Sequence, residues 1–200
     1  MKNSLMILLC FLAGLLGSAA GLFPAVFHAP ELATSILFLL LFLVGIGIGS
    51  NPQTWQLLRR ANVRLLLVPL TIIAGTLLGA AACSLLLPAV SGREALAVGA
   101  GFGYYSLSSI MITELHGQQL GVVALLANIL REILTLLLTP LLARCCGRLA
   151  PIASGGATAM DTTLPIISRF LSQEYALVAV FSGVVLTVLV PVLVTLILTL

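Results

Sequence analysis

Three charged side chains lie within apolar stretches of this chain, and their types suit the binding of a proton or a cation. Arg131 and Glu132 fall near the middle of the apolar run Gln118–Ala143, and Asp161 is the only aspartate of the chain. A charge at the centre of a membrane-spanning helix costs roughly 2.5–3.5 kcal/mol. Carboxylates at such depth are suited to reversible proton binding and to partnering a cationic ligand. All three residues are therefore candidate binding residues.

A polar stripe accompanies Glu132 on the predicted helix. The residues Asn128, Glu132, Thr135 and Thr139 recur at helical spacing, so they share one face that has to contact protein or water. Adjacent helical residues point about 100° apart, so Arg131 and Glu132 do not pair directly. An alternative role for both is structural, in buried ion pairs between helices, with Arg131 clamping a carboxylate elsewhere.

Two stretches of small and hydroxyl residues interrupt the apolar pattern, at Gly99–Ser109 and Ser154–Pro165. Glycine lowers helix propensity and proline removes a backbone donor, so both stretches predict broken helices. Irregular backbone at membrane depth has to be buried in protein or line a wet cavity. The alternative is two ordinary helices with packing glycines.

Further candidate binding residues follow from these two stretches. Tyr104 and Ser108 offer aromatic and hydroxyl surface in the first stretch, and Thr162 adjoins Asp161 in the second. An alternative role for Asp161 is to cap a short helix. Glu114 follows the first stretch and is the last candidate. Its alternative role is that of a solvated residue in a loop, without a function in binding.

The composition places these residues in a membrane protein. The chain has 200 residues, of which 60% are hydrophobic and 8% charged, and a net charge of +3. A soluble domain is about 25% charged, which excludes a soluble enzyme, a nucleic-acid-binding protein and a disordered chain. We expect one integral, all-α membrane domain over residues 1–200. The four cysteines form no C-x-x-C pair and no phosphate-binding loop occurs, so neither a metal nor a cofactor is expected.

Basic residues decide how many apolar runs cross the bilayer. The runs are Ser4–Leu22, Leu32–Gly49, Val63–Val90, Ala95–Thr113, Gln118–Ala143, Ile152–Ile167 and Ala176–Leu200. If all seven cross, Arg144 and Arg148 lie outside, against the positive-inside rule. If the two broken runs re-enter instead, seven basic residues lie inside and Arg93 alone lies outside. The seven are Lys2, Arg59, Arg60, Arg64, Arg144, Arg148 and Arg169.

This asymmetry predicts about five full spans and two Gly-rich re-entrant or broken segments, with the N-terminus inside and the C-terminus outside. The first run resembles a cleavable signal peptide, but it is long enough to span and is expected to stay as a helix. A shift of 54 positions superimposes Ser108–Ile112 on Thr162–Ile166. With opposite entry sides, this match suggests an inverted repeat, an architecture of secondary transporters.

The polar segments together resemble the LysO lysine exporter family. The resemblance is carried by Gly101–Ser108 with Thr113-Glu114, by Asn128, Arg131-Glu132 and Pro140, and by Gly155–Pro165. It covers the chain from about Leu37 to the C-terminus and implies a secondary transporter rather than an enzyme. It further implies export of L-lysine and its analogue thialysine from the bacterial inner membrane in exchange for protons. The two intramembrane acids that matter in the family match Glu132 and Asp161.

The chain departs from the family in length, since it matches the C-terminal two-thirds of the longer members. A separate small membrane subunit is a candidate to supply the rest, and the alternative is that the missing part is dispensable; a homo-oligomer is a further candidate assembly. The alternative function is a non-transporting membrane subunit that assembles with a partner chain. Apart from these partners, we expect the chain to contact the lipid bilayer, and we expect no nucleic-acid partner.

The charge asymmetry makes a prediction about orientation. The loop Ser50–Asn62 and the segment Arg144–Arg148 are expected to face the cytoplasm together. Single cysteines at Gln56 and Arg148, in a background without the native cysteines, should not react with an impermeant thiol reagent added to intact cells. Reaction at position 148 alone would restore the seven-span arrangement.

Overall fold

The computed structural model describes residues 63–87 and 90–200, and before them the isolated positions 16, 17, 20, 21, 24, 32, 35, 39, 42, 43, 46 and 50. The two continuous stretches belong to one compact unit, Leu40–Leu200. The predicted spans Ser4–Leu22 and Leu32–Gly49 and the loop Ser50–Asn62 lie outside these stretches. The basic residues Lys2, Arg59 and Arg60 lie outside the described residues too.

All regular structure in residues 63–87 and 90–200 is helical, as predicted. The elements are α1 (Val63–Ser84), α2 (Gly92–Gly99), α3 (Tyr105–His116), α4 (Gln118–Cys145), α5 (Ala150–Gly155), a 3-10 helix (Gly156–Met160), α6 (Leu164–Phe170) and α7 (Gln173–Thr199). Three of them are long and apolar enough to cross a membrane: Leu65–Ser84, Gln118–Cys145 and Glu174–Thr199. Both predicted breaks occur, between α2 and α3 and between α5 and α6.

Helix α4 has two contrasting faces. One carries exposed leucines at helical spacing, among them Leu126 and Leu137. The opposite face buries Asn128, Thr135 and Thr139, which are 3%, 0% and 0% exposed. The predicted polar stripe therefore faces protein, and the apolar face is suited to lipid.

The first broken segment, residues 92–116, folds back on itself and is called the first hairpin. Glu94 lies in the first turn of α2 and His116 in the last turn of α3, yet Glu94 Oε1 is 2.9 Å from His116 Nε2. Ser91 begins α2 with a capping box, in which its backbone N–H donates to Glu94 Oε2 and its hydroxyl accepts from the Glu94 N–H. Glu94 thus binds both ends of the hairpin, residues 91 and 116, and these two ends are called its mouth.

The second broken segment, residues 150–170, also returns towards its starting end and is called the second hairpin. Arg148 precedes α5 and Tyr175 follows α6, and the Arg148 guanidinium carbon lies 5.8 Å from the centre of the Tyr175 ring. Helix α4 has 28 residues, which is about 42 Å. Since α4 begins beside the mouth of the first hairpin and ends beside that of the second, the hairpins open at opposite ends of α4.

Loss of the Glu94 carboxylate should loosen the first hairpin. The Ser91 N–H, the Ser91 hydroxyl and His116 lower the pKa of Glu94 below its ordinary value of 4.5. At pH 7, Glu94→Gln should lower the melting temperature of the detergent-solubilised protein by about 2–4 °C, because the neutral amide can still accept from Ser91 but loses the negative charge that favours the N-terminus of α2 and the contact with His116. The stabilisation is present above pH 4.5 and is lost as the pH falls through the lowered native pKa.

The melting temperatures of the wild type and Glu94→Gln should therefore converge in that acidic window. Glu174→Gln is the control, because it removes an exposed acid from the first turn of α7. An equal loss in Glu174→Gln, or an unchanged melting temperature for Glu94→Gln at pH 7, would contradict the role of Glu94.

Candidate functional site

The tips of the two hairpins meet beside the middle of α4. The first tip is residues 101–104, between α2 and α3, and the second is residues 156–163, between α5 and α6. The Ala157 N–H donates a hydrogen bond of 2.9 Å to the Phe102 carbonyl. Phe102 and Ala157 are 0% and 2% exposed, so the contact is buried. A backbone hydrogen bond thus joins two segments that come from opposite ends of α4.

Each tip contains a left-handed residue at this contact. Phe102 has a φ of 46° and Gly156 a φ of 62°. A left-handed conformation costs roughly 1–2 kcal/mol for a residue with a side chain. At Gly156 a Cβ atom would also collide with the Phe102 carbonyl and lie 3.1 Å from Arg131 Nη2. The close approach of the tips therefore requires glycine at position 156.

Asn128 holds the first tip. The Gly103 N–H donates to its Oδ1 atom at 2.7 Å, and its Nδ2 atom donates to the carbonyls of Val98 at 3.2 Å and Ala124 at 2.9 Å. Val98 lies near the C-terminal end of α2, and its carbonyl also accepts a hydrogen bond of 3.3 Å from the Gly101 N–H. One amide side chain therefore bridges both sides of the break in the first hairpin.

Arg131 holds the second tip. Its Nε atom donates to the Ser154 carbonyl and its Nη2 atom to the Ala153 carbonyl, each at 2.9 Å, and Nη2 also lies 3.4 Å from Thr76 Oγ1 on α1. These carbonyls lie at the C-terminal end of α5, the negative end of its dipole. Within residues 63–87 and 90–200, the partners of Arg131 are thus two backbone carbonyls and a hydroxyl, and it clamps no carboxylate of these residues.

The two candidate carboxylates have different settings. Asp161 ends the 3-10 helix, is exposed, and accepts a hydrogen bond of 2.5 Å from the Thr162 N–H through Oδ1. The cap position of α6 is Thr163, so the helix-cap alternative for Asp161 is wrong. Glu132 is half-buried on the regular helix α4. Neither carboxylate is engaged by Arg131.

Tyr104 ends the first tip, and Tyr105 is the first residue of α3. Tyr104 and Tyr105 are half-buried, and the Tyr105 phenol lies near enough to both Glu132 and Asp161 to interact with their charges. Tyr104 interacts in the same way with Asp161. Glu132 on α4 and Asp161 in the second tip thus share one electrostatic neighbour, Tyr105.

The other predicted residues lie at different distances from this cluster. Ser108 is fully buried, and its hydroxyl donates to the Tyr104 carbonyl at 2.9 Å, which stabilises the first tip. Thr162 is exposed and lies next to Asp161. Glu114 is exposed near the end of α3, about 14 Å along the helix from Tyr105. The structure thus groups Glu114 with the mouth of the first hairpin.

Sequence reasoning missed the partners that the polar side chains use. The Ala153 and Ser154 carbonyls and the hydroxyl of Thr76 carry no sequence signal for a bond to Arg131. The adjacent pair Gly155-Gly156 does carry a signal, since two glycines before a predicted break indicate a close backbone approach.

The cluster has the chemistry of a cation site. A carboxylate pair attracts an ammonium group or protons, and aromatic faces stabilise a cation within about 6 Å of the ring centre. The partly unwound segment beside Asp161 offers further backbone groups to a ligand. Residues of these types are suited to binding a cationic ligand or a proton.

Comparison with known proteins gives consistent matches. The family described as lysine exporter LysO matches residues 8–198. The chain is 35% identical over 181 residues to the lysine exporter LysO of Escherichia coli (strain K12), which covers 90% of this chain and 60% of that protein. It is 35% identical over 161 residues to a putative lysine exporter of Haemophilus influenzae, which covers 79% of this chain and 80% of that protein. No solved structure matches the chain.

The contact between the tips makes a prediction for Gly156. Gly156→Ala should lower the melting temperature by about 5 °C or more, because the left-handed φ and the collision with the Phe102 carbonyl each oppose the native contact. Gly79→Ala on α1 is the control, since a Cβ atom there meets nothing within 4 Å. Equal melting temperatures for the two variants, measured in one detergent, would refute the packed contact.

Proposed function

Because the chain belongs to the lysine exporter LysO family, we propose that it is a secondary exporter of L-lysine across the bacterial inner membrane, driven by exchange for protons. The observation that carries this proposal is the presence of two carboxylates, Glu132 on α4 and Asp161 in the second tip, that Arg131 does not engage. The proposal extends to thialysine, which carries the same two ammonium groups and carboxylate as lysine.

Competition for the two carboxylates provides the coupling. An ammonium group of lysine binds when Glu132 and Asp161 are ionised, and protons neutralise the same groups when lysine has left. If the site opens alternately to each side of the membrane, lysine and protons each stabilise the conformations to which they bind, and this couples their movements. Protons moving inward can then drive lysine outward without any cofactor.

The two carboxylates divide the work. Asp161 is exposed and lies in a partly unwound segment, so we assign it the exchange of protons and lysine. Glu132 is half-buried on a regular helix and supplies a fixed charge for the bound ammonium. Since Arg131 is held by carbonyls, neutralising Glu132 does not leave Arg131 without partners.

The proposed architecture has five spans and two re-entrant hairpins in an inverted repeat. It is supported by the closed mouth of each hairpin and by their opposite openings along α4. The repeat is supported by the spacing of the two tips. The left-handed residues Phe102 and Gly156 are 54 positions apart, the shift suggested by the sequence. In this arrangement the N-terminus is inside and the C-terminus outside.

The whole chain, residues 1–200, is proposed to act as one transporter domain. It spans 60% of the length of the Escherichia coli relative, so a small membrane subunit or a second copy of the chain is proposed to complete it. The competing proposal is a non-transporting subunit, whose polar residues only fix assembly. That function is favoured by the structural bonds of Asn128 and Arg131, but it gives no reason for two carboxylates in the electrostatic range of half-buried Tyr105.

Substitution of each acid tests the proposal. In proteoliposomes loaded with lysine, Asp161→Asn should abolish proton movement driven by the lysine gradient, whereas Asp161→Glu should keep a remnant. Glu132→Gln should weaken lysine binding at least about tenfold, the effect of losing one buried charged hydrogen bond or more. Its melting temperature should stay near that of the wild type.

Glu174→Gln is the control, because it removes an acid at an exposed position outside the cluster. Wild-type proton coupling in Asp161→Asn would refute the exchange role of Asp161. Absence of lysine flux in the wild type, with and without a co-expressed partner, would favour the assembly subunit.

A further inference from the structure

We propose that Asn128 and Arg131 are positioning residues that hold the two tips in register, and that neither binds the substrate. Only the effect of these two residues on transport rests on the proposed function. The contacts themselves are a property of the fold. In this proposal the tyrosines and carboxylates bind the transported lysine or protons, whereas Asn128 and Arg131 bind the backbone.

The breaks in the hairpins create a problem that these side chains solve. A helix that ends inside the membrane leaves carbonyls without helical partners, and hydrocarbon offers them no water. At the end of α2 the Val98 carbonyl accepts from Asn128, and at the end of α5 the carbonyls of Ala153 and Ser154 accept from Arg131. The polar bonds formed by Asn128 and Arg131 are therefore directed to backbone.

The type of each residue fits its task. The planar guanidinium presents several donors in a fixed fork and reaches two successive carbonyls and a hydroxyl together. Its permanent positive charge is favourable at the C-terminal end of a helix. The amide of Asn128 both accepts from Gly103 and donates to Val98, which a carboxylate or an ammonium group cannot do.

The positions on α4 make the two contacts interdependent. Asn128 and Arg131 are three residues apart, so they are neighbours on one helical face. A Cβ atom at Gly103 would lie 3.9 Å from Arg131 Cδ, and one at Gly156 would lie 3.1 Å from Arg131 Nη2. The arginine side chain therefore packs next to both tips. With the bond between Ala157 and Phe102, the tips and α4 form one connected unit.

This arrangement separates structural charge from exchangeable charge. In other transporters with broken helices, the C-terminal ends of half-helices can coordinate the transported or coupling cation. Here a guanidinium of the protein takes that position at α5 and an amide takes it at α2. The cargo ammonium is left with the carboxylates Glu132 and Asp161, which Arg131 does not engage.

Amide hydrogen exchange in the full-length protein tests the positioning role directly. Arg131→Gln should speed exchange about tenfold in peptides covering residues 153–163 and, through the tip contact, in those covering residues 98–108. Asn128→Leu should speed exchange in both regions as well. Arg131→Lys is a milder variant, which should give an intermediate increase if Arg131→Gln does not fold.

Thr139→Val is the matched control, because Thr139 is buried on the same helix and its hydroxyl bonds only within α4, to the Thr135 carbonyl. It should leave exchange at both tips as in the wild type. Equal acceleration by Thr139→Val, or wild-type exchange in Arg131→Gln and Arg131→Lys, would overturn the proposal.

Competition binding separates a positioning residue from a ligand. Pentane-1,5-diamine carries the two ammonium groups of lysine without the carboxylate. A positioning role predicts that Arg131→Lys weakens lysine and the diamine by the same factor within about twofold, because both sense the displaced carboxylates and tyrosines. A loss at least about tenfold greater for lysine would show that Arg131 binds the substrate carboxylate, and it would overturn the proposal.

The two experiments also separate this proposal from the proposed function. If the wild type binds neither lysine nor the diamine, the exporter assignment fails. The exchange pattern at the tips still decides whether Asn128 and Arg131 hold them.

Discussion

The fold depends on satisfying interrupted backbone inside an apolar protein. Each hairpin leaves carbonyls at the end of a short helix, and an unsatisfied polar group in hydrocarbon costs several kcal/mol. Helix α4 solves this twice, through Asn128 at the first break and Arg131 at the second. The meeting of the tips, the exposure of Asp161 beside them and the placement of the tyrosines all follow from these bonds.

The same bonds explain why the carboxylates are suited to exchange. If Arg131 formed an ion pair with Glu132 or Asp161, a permanent cation would occupy the place of a transported one. Because its guanidinium is directed to the carbonyls of α5, the negative charge at the tips is left for a proton or an ammonium group. The charge of Arg131 thus stabilises the broken helix, and the proposed exchange is assigned to the two acids.

Much of this organisation follows from the sequence because membrane depth makes each polar residue costly. The density of glycine and hydroxyl residues predicted both breaks, and helical spacing predicted the buried face of α4. The partners of Arg131 did not follow, because a backbone carbonyl leaves no trace in residue type and a buried arginine suggests a carboxylate first. The position of Glu114 did not follow for a related reason: it adjoins a motif in sequence, but the hairpin returns it to the mouth.

The central claim is that lysine and protons compete for the same carboxylates where the hairpins meet. Calorimetric titration of purified protein with lysine, repeated in buffers of different ionisation enthalpy, measures the protons exchanged on binding. The account predicts that lysine binding releases protons to the buffer, and that this release disappears in Asp161→Asn. Lysine binding without proton release in the wild type, across pH values where the site titrates, would contradict it.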